Sequence, residues 1–447
     1  MALLDRQRSR PPEPPAGPEG SAAGQLFHDL KADLHRRLVD RIDLRTLEKL
    51  PPERVREELK AALVALVQES ALPLSRAERE RMVQELVDEL IGLGPLEPLL
   101  RDPTISDLLV NTYSTVYVER GGCLELTAVR FRDNDHLLQI INRIVARVGR
   151  RVDESSPMVD ARLSDGSRVN AIIPPLAIDG PCLSIRRFGA APLKLRDLVE
   201  KGSAPREALA LLGAAVRAKL NVLISGGTGS GKTTLLNALS AFIPDGERVV
   251  TIEDSAELKL QQRHVVRLET RPPNIEGAGE IVARDLVRNC LRMRPDRIVI
   301  GEVRGGEVLD MLQAMNTGHE GSMTTVHANT PRDALSRLEA MVGMSGVPMA
   351  DGAVRQTIAR ALHMMVQLNR GSDGKRRLTS LAEITGTEGP TITLQEIFRF
   401  EQQGVDEKGR VLGRFVATGV RPRCAERIAR AGIDPDALFE RVVAEAP

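Results

Sequence analysis

Residues 222–234 read VLISGGTGSGKTT, an apolar stretch followed by small residues that end in a lysine and two threonines. The run matches G-x-x-x-x-G-K-[ST] between a predicted strand and a predicted helix, which is the context that this phosphate-binding motif requires. Glycines let backbone N–H groups converge on phosphate oxygens, and the start of the helix adds positive potential. The sequence therefore predicts a phosphate loop, whose residues are Gly226, Gly227, Thr228, Gly229, Ser230, Gly231, Lys232, Thr233 and Thr234.

Two side chains of this loop have defined tasks in nucleotide chemistry. Lys232 is expected to reach the β- and γ-phosphates, and the Thr233 hydroxyl is expected to ligate Mg²⁺. The structural alternative is a glycine-rich turn that binds nothing, and the position of the loop between a strand and a helix disfavours it. We therefore expect a nucleotide with Mg²⁺ as the ligand.

The sequence around the loop predicts an α/β domain. From about residue 195 onward, helical runs alternate with short apolar strands, which is typical of a parallel sheet covered by helices. Between about residues 103 and 190, β-forming segments surround one helical stretch and predict an α+β domain. The two patterns indicate at least two domains.

Helical periodicity precedes the α+β region. Leucines four residues apart predict three short amphipathic helices, and Ser75 with Glu78 predicts a capping box at the start of the third. The first residues are rich in Pro, Gly and Glu and predict a disordered tail. The expected segments are the tail over 1–24, a small helical bundle over 25–93, the α+β domain over 94–192 and the nucleotide-binding domain over 193–447.

Composition excludes several classes of protein. The chain has 62 Lys and Arg against 61 Asp and Glu, and 2% of its residues are aromatic with no tryptophan. Neither a basic field nor stacking platforms for nucleic acid are therefore expected. The four cysteines form no C-x-x-C pair, which argues against a zinc cluster and a disulfide framework. Since no run of about eighteen apolar residues occurs, we expect a protein of the reducing cytosol without a transmembrane segment.

Carboxylates end two of the later predicted strands. RVVTIED ends in Glu253 and Asp254, and RIVIGEV carries Glu302 after Gly301, where a generic Walker B strand has an aspartate. Carboxyl ends of parallel strands border the crevice where ligands of such sheets bind. A single carboxylate there is more often a turn residue or a helix cap, so it is their occurrence together that favours catalysis. His327 follows a third strand, where it is either structural or a donor to a γ-phosphate.

The order of these motifs resembles the secretion ATPases that power type II secretion, type IV secretion and type IV pili. The chain carries GGTGSGKTT, then TIEDSAEL, then RMRPDRIVIGEVRG, and then MNTGHEGSMTTVHANTPRDALSRLE. The likeness covers nearly all of the chain after the tail and is greatest to the CpaF/TadA-like motor ATPases of tight-adherence pili. It implies a RecA-like P-loop NTPase domain preceded by a PAS-like α+β domain, in a homohexameric ring that binds ATP with Mg²⁺.

The resemblance also implies roles for individual residues. Glu253 and Asp254 match the family's Asp box, beside the metal and the attacking water, with Glu253 at the Mg²⁺. Glu302 matches the Walker B glutamate, which implies that it is the general base. His327 lies in the segment that resembles the His box, which implies contact with the γ-phosphate.

Two arginines of the α+β domain complete the implied site. Arg168 in DGSRVN and Arg186 in SIRRF match the arginines of the family's N-terminal domain that approach the γ-phosphate. A guanidinium group is permanently charged. On a mobile domain, it would neutralise the negative charge of the transition state only when the subunit closes. The alternative for each arginine is a solvated strand residue or an ion pair within its own domain.

The implied function is that of a cytoplasmic motor at the inner membrane. ATP hydrolysis would drive a membrane platform that inserts or removes the subunits of a tight-adherence type IV pilus. The absence of a four-cysteine zinc motif and the segment RPPNIEGAGE favour this branch. The alternatives are a type IV secretion ATPase for effector or DNA export, a nucleic-acid translocase, and a scaffold that binds ATP and hardly hydrolyses it.

Overall fold

The computed structural model describes residues 34, 37, 38, 52–69, 75–163, 165–187, 193–273 and 278–435. The chain divides into two compact units between Gly189 and Ala190. The first unit holds both the helical segment and the α+β region, which the sequence analysis assigns to separate segments. The predicted tail lies outside the described residues.

Helices open the described part of the first unit. They are α1 (Pro52–Glu69) and α2 (Arg76–Ile91). Their apolar residues share a buried cluster with Leu34 and Leu38, while most of the first predicted helix lies outside the described residues. The predicted capping box is confirmed, because Ser75 Oγ accepts a hydrogen bond from the Glu78 N–H and Glu78 Oε2 accepts one from the Ser75 N–H.

A six-stranded antiparallel sheet fills the rest of the first unit. Its elements are a 3₁₀ turn (Gly94–Leu96), α3 (Glu97–Arg101), β1 (Ile105–Thr112), β2 (Thr115–Arg120), β3 (Cys123–Leu126), α4 (Asn134–Arg147), β4 (Met158–Arg162), β5 (Arg168–Ile172) and β6 (Cys182–Arg186), with strand order β3-β2-β1-β6-β5-β4. Buried and exposed residues alternate along β5 and β6, so one face of the sheet packs with α4. This is the predicted α+β region, and its PAS-like character stays a prediction.

The second unit is built on a nine-stranded sheet with order β15-β14-β13-β12-β7-β11-β10-β8-β9. Its strands are β7 (Val222–Gly226), β8 (Val249–Glu253), β9 (Val265–Glu269), β10 (Arg297–Val303), β11 (Met323–Val326), β12 (Met364–Arg370), β13 (Arg376–Glu388), β14 (Thr391–Val405) and β15 (Val411–Ala417). The six strands from β12 to β9 are parallel, which confirms the predicted parallel sheet. The sequence analysis missed the three long antiparallel strands β13 to β15.

Helices cover both faces of this sheet. They are α5 (Leu195–Glu200), α6 (Arg206–Arg217), α7 (Lys232–Ser240), α8 (Ala283–Cys290), a 3₁₀ turn (Leu291–Met293), α9 (Glu307–Asn316), α10 (Pro331–Gly343), α11 (Asp351–Ala361) and α12 (Ala425–Arg430). Val222 and Ile224 of β7 pack with α6 and α7, whereas Leu223 packs with α9 to α11. Among the described residues, no helix is both long enough and apolar enough to span a lipid bilayer.

One buried amide joins the amino-terminal ends of three parallel strands. Asn221, directly before β7, is fully buried; its side-chain oxygen accepts hydrogen bonds from the N–H groups of Gly321 (2.8 Å) and Ser322 (3.0 Å). Its Nδ2 donates to the Ala361 carbonyl at 2.6 Å. The segments that lead into β7, β11 and β12 are therefore held in fixed register.

Replacement of Asn221 should destabilise the second unit. Asn221→Ala leaves two buried N–H groups and one carbonyl without their partner, so we expect the free energy of unfolding to fall by about 2–4 kcal/mol. Urea titration followed by circular dichroism measures the loss. Asn316→Ala, at an exposed position at the end of α9, is the matched control. Equal losses in the two variants would contradict the role of the amide.

His363 makes the stability of the same region depend on pH. Burial, with the nearby Arg427 charge, lowers the pKa of His363 to about 4, and Glu320 opposes the shift. The folded state excludes a proton that the unfolded imidazole binds, so the contribution to stability is present above about pH 6.5 and is lost as pH falls toward 4.

We expect the unfolding free energy of the wild type to fall more steeply than that of His363→Gln between pH 6.5 and 4. The difference should be on the order of 2–3 kcal/mol, because one pKa unit corresponds to about 1.4 kcal/mol. Urea titrations at several pH values measure it, with His264→Gln at an exposed position as the control. Parallel pH profiles for the wild type and His363→Gln would refute the assignment.

Candidate functional site

The phosphate loop lies where the sequence predicts it, between β7 and α7. Gly229 and Gly231 have φ of +68° and +98°, in the left-handed region where a side chain causes strain. Gly231 is the N-cap of α7, and the first N–H groups of that helix have no intrahelical acceptor. Positive potential at the helix start favours an anion at this point. Thr233 and Thr234 are half-buried in the first turn, and Thr228 is exposed.

The contacts within the loop fit a phosphate group. A methyl group on Gly226 would lie 2.4 Å from Ser230 Oγ and 2.5 Å from the Leu368 carbonyl oxygen, so the loop tolerates no side chain there. Lys232 Nζ donates to the carbonyls of Gly226 (2.9 Å) and Gly227 (3.1 Å). Within the described part of the chain, the buried Ser230 hydroxyl has no hydrogen-bond partner. The loop thus combines a lysine that hydrogen-bonds to the loop's own carbonyls with a buried serine hydroxyl that has no partner among the described residues.

Glu253, at the end of β8, is a buried carboxylate. It is 5% exposed, and its Oε2 accepts hydrogen bonds from the N–H groups of Glu257 (2.8 Å) and Leu258 (2.9 Å). Burial raises the pKa of Glu253 to about 7, although these N–H groups oppose the shift. Its Oε1 has no hydrogen-bond partner among the residues that the structure describes. An oxygen ligand without a partner fits Mg²⁺ or one of its waters.

The position before Glu302 has no room for the aspartate of a generic Walker B strand. A Cβ atom at Gly301 would lie 2.9 Å from Glu253 Cγ. The Glu253 side chain on β8 therefore occupies space that a side chain on β10 would need. β8 and β10 are neighbouring parallel strands, so the Glu253 carboxylate on β8 lies beside the position where β10 would otherwise carry an aspartate.

An arginine joins the other two candidate carboxylates. Arg304 Nη2 lies 2.8 Å from Glu302 Oε2, and Nη1 lies 3.2 Å from Asp254 Oδ2. The hydrogen bond to Glu302 and the charges of both carboxylates raise the pKa of Arg304. Glu307 Oε1 accepts hydrogen bonds from the Arg304 N–H (2.6 Å) and the Gly305 N–H (2.9 Å), which fixes the turn after β10.

His327 directly follows β11 and lies in a turn held by a neighbouring strand. Gln367 of β12 is 2% exposed, and its Nε2 donates to the carbonyls of Ala328 (3.2 Å) and Asn329 (3.0 Å). His319 precedes β11 and therefore lies at the opposite edge of the sheet from His327. The structure thus separates the two histidines and leaves only His327 at the carboxyl edge.

Arg168 and Arg186 belong to the first unit. They are opposite each other on the neighbouring strands β5 and β6, and both are exposed. Like charges in this arrangement destabilise a sheet unless an anion or a carboxylate offsets them. Their predicted contact with a γ-phosphate stays a prediction.

The sequence analysis missed three residues that contact the candidate site. Arg304 and Gln367 are two of them, and the third is Arg376, whose Nε donates to the Gly229 carbonyl at 2.9 Å. Arg304 lies two residues after Glu302, just past the end of β10, and this close spacing was a signal within the quoted motif. Gln367 and Arg376 reach the site only through the pairing of distant strands, so no local pattern indicates them.

Comparison with known proteins places these features in one family. Residues 89–409 match the family model of the type II/IV secretion system protein, and residues 27–91 match the N-terminal domain of type II secretion system protein E. The putative conjugal transfer protein Rv3659c of Mycobacterium tuberculosis (strain ATCC 25618 / H37Rv) is 42% identical over 310 residues, which cover 68% of this chain and 88% of that protein.

Two further relatives come from secretion and transfer systems. The conjugal transfer protein TrbB of Rhizobium radiobacter is 32% identical over 301 residues, which cover 66% of this chain and 88% of that protein. The solved structure of the VirB11 ATPase from the Brucella suis type IV secretion system, in complex with sulphate, shares 30% sequence identity and covers 64% of this chain and 94% of its own, with a TM-score of 0.35.

Two neighbouring glycines of the phosphate loop provide a matched test of the cradle. Gly226→Ala forces Ser230 and the Leu368 backbone to move, whereas a Cβ at Gly227 meets no protein atom within 4 Å. We expect Gly226→Ala to weaken the binding of a fluorescent ATP analogue at least about fivefold, because overpacking costs about 1–3 kcal/mol. Gly227→Ala should stay within about twofold to threefold of the wild type. Equal affinities for the two variants would contradict the described cradle.

Proposed function

The chain belongs to the type II/IV secretion system protein family, and from this premise we propose that it works as the ATP-driven motor of a tight-adherence type IV pilus. Membership makes the second unit a RecA-like P-loop ATPase domain that takes ATP with Mg²⁺. One observation carries the proposal of an active motor. The carboxyl edge of one parallel sheet bears the phosphate loop, Glu253, the pair Glu302 and Arg304, and His327.

The phosphate loop binds the nucleotide. Its backbone N–H groups and Lys232 hold the phosphate oxygens. The Thr233 hydroxyl and Glu253 would hold Mg²⁺, which would supply positive charge against the phosphates. Lys232 has to leave the Gly226 and Gly227 carbonyls, which it holds in the structure, to reach the phosphates. Those contacts keep the lysine beside the loop before the nucleotide arrives.

Glu302 serves as the general base. Its carboxylate accepts the proton of the attacking water, and Arg304 orients it through the 2.8 Å hydrogen bond. Asp254 shares Arg304 and stays beside the water, and His327 donates to the γ-phosphate. Because Gln367 holds the turn after β11, the imidazole starts from a fixed backbone. The site is therefore arranged for hydrolysis, which disfavours a scaffold that only binds ATP.

The motor acts as a homohexamer. Arg168 and Arg186 are exposed on one face of the first sheet. They approach the γ-phosphate of a nucleotide and offset its negative charge. Their guanidinium groups stay charged at any physiological pH, so closure of the domain alone switches their effect. Successive closures move a pilus platform at the cytoplasmic face of the inner membrane, where the ring is recruited.

A type IV secretion ATPase for effector or DNA export is the second candidate. It is favoured by the relatives that are described as conjugal transfer proteins. The helical segment before the first sheet and the sequence RPPNIEGAGE resemble the tight-adherence branch and support the pilus motor. Deletion of the gene separates the two, since loss of surface pili supports the pilus motor and loss of conjugal or effector transfer with intact pili supports export.

Two substitutions test the motor chemistry. Glu302→Gln removes the base, so we expect ATP turnover to fall by a factor of about 10²–10⁴ while a fluorescent ATP analogue still binds. Lys232→Ala should lose both binding and turnover. Glu388→Gln, at an exposed residue that ends β13, is the control and should keep wild-type turnover.

Light scattering during the same assays tests the ring. Turnover should appear only at protein concentrations where the hexamer forms. Full turnover by Glu302→Gln would refute the base assignment, and full turnover by a monomer would refute the roles of Arg168 and Arg186.

A further inference from the structure

The hairpin between β12 and β13 lies beside the phosphate loop. β12 pairs in parallel with β7, with Leu368 opposite Gly226, and then continues for two residues past the point where β7 ends. Arg370 is the last residue of β12 and Arg376 is the first residue of β13. The strand pairing therefore carries two arginines to the edge that bears the loop.

Both arginines reach the left-handed glycines of the loop. Arg376 Nε donates to the Gly229 carbonyl at 2.9 Å, and Arg376 Cδ lies 3.5 Å from the position of a Cβ on Gly231. Arg370 Nη1 lies 3.5 Å from the position of a Cβ on Gly229. With Lys232 on the Gly226 and Gly227 carbonyls, cationic donors occupy three carbonyls of the loop.

The carboxylate of Asp373, in the turn of the hairpin, is held by hydrogen bonds and an ion pair. Asp373 accepts hydrogen bonds from the Lys375 N–H (3.1 Å) and the Val411 N–H (3.2 Å), and forms an ion pair of 2.6 Å with Arg377 Nη2. The side chains of this pair are 4% and 9% exposed, and the hydrogen bond from Arg377 holds the pKa of Asp373 well below its usual range. Asp373 is the sole carboxylate among residues 370–377, and it is taken up by Arg377.

The two arginines are also direct cross-strand partners. Like charges directly opposite each other on neighbouring strands are destabilising, and here they stand beside a third cation, Lys232. A polyphosphate in the loop would offset this concentration of charge. We propose that Arg376, which Arg370 faces across the hairpin, is an additional ligand of the phosphate chain of the nucleotide. Through its contact with the Gly229 carbonyl, Arg376 also orders the loop.

This pair of roles presupposes that residues 226–234 hold the nucleotide, as proposed above. Binding of ATP, ADP and pyrophosphate therefore forms the first test, with a fluorescent ATP analogue as the displaced probe. Arg376→Ala should weaken all three about tenfold, because a hydrogen bond to a charged group contributes about 1.5–3 kcal/mol. Arg376→Lys should recover part of the affinity, because lysine restores the positive charge but not the planar guanidinium with its paired N–H donors.

Lys375→Ala is the matched control, because Lys375 is exposed on the same turn and its side chain makes no hydrogen bond or ion pair with the described residues. Its affinities should stay within about twofold of the wild type. Equal pyrophosphate affinities for Arg376→Ala and Lys375→Ala would overturn the inference. So would a loss confined to ATP and ADP with pyrophosphate unchanged, since the arginine would then contact the base or the ribose.

Hydrogen exchange of the nucleotide-free protein tests the second role without any ligand. Amides of residues 226–232 should exchange faster in Arg376→Ala than in Lys375→Ala. Unchanged exchange would overturn the ordering of the loop by Arg376.

Lys232→Ala separates this inference from the proposed function. If Lys232→Ala binds ATP and pyrophosphate as the wild type does, the loop is not the nucleotide site and both proposals fall. If Lys232→Ala loses binding and Arg376→Ala does not, the loop keeps its function and only the role of the hairpin is refuted. Loss of binding in both, with Lys375→Ala unaffected, supports both proposals.

Discussion

The parallel hydrogen-bond ladder of β12, β7 and β11 is the constraint on which the rest of the second unit depends. In a parallel ladder the carboxyl ends of all strands meet at one edge, so residues far apart in sequence become neighbours. The phosphate loop, the turn with His327 and the arginine hairpin each follow one of these strands. Asn221 fixes the opposite edge, where its amide joins the segments that lead into the same three strands. A shift of one residue in this register would separate the loop from every group that contacts it.

At the carboxyl edge of this sheet, the charged side chains at the ends of β8 and β10 contact residues of the neighbouring strand as well as solvent. Glu253 is buried against Gly301, and burial raises its pKa to about 7 in spite of two backbone N–H donors. The side chain of β8 thus takes the space that an aspartate on β10 would fill. Arg304 meets Glu302 and Asp254 on the exposed side of the same two strands. Glu253 is thus a buried acid, whereas Glu302 is an acid paired with Arg304, and these different surroundings favour different chemical roles.

Much of this site could be predicted from the sequence, and the rest could not, for physical reasons. Glu253 and Glu302 lie at the ends of apolar strands, and the phosphate loop and His327 directly follow such strands, so local pattern and strand polarity predict their edge. Arg376 and Gly229 are 147 residues apart, and only the pairing of β12 with β7 brings them together. The strands β13 and β14 carry polar and charged residues along much of their length, so they lack the apolar runs that identified the parallel strands. Arg168 and Arg186 were identified only from the resemblance to a family, and their role stays a prediction.

Arg304 decides which of the candidate carboxylates is open to a cation. Its guanidinium serves as an internal counter-ion for Glu302 and Asp254, so these two acids are already partly neutralised. Glu253 takes no part in this pairing, and its Oε1 has no hydrogen-bond partner among the described residues. A cation that arrives on a polyphosphate brings its own anionic partner, and the polyphosphate meets Lys232 and the start of α7. Because Arg304 already occupies the other two acids, we expect Glu253 to be the carboxylate that receives such a cation.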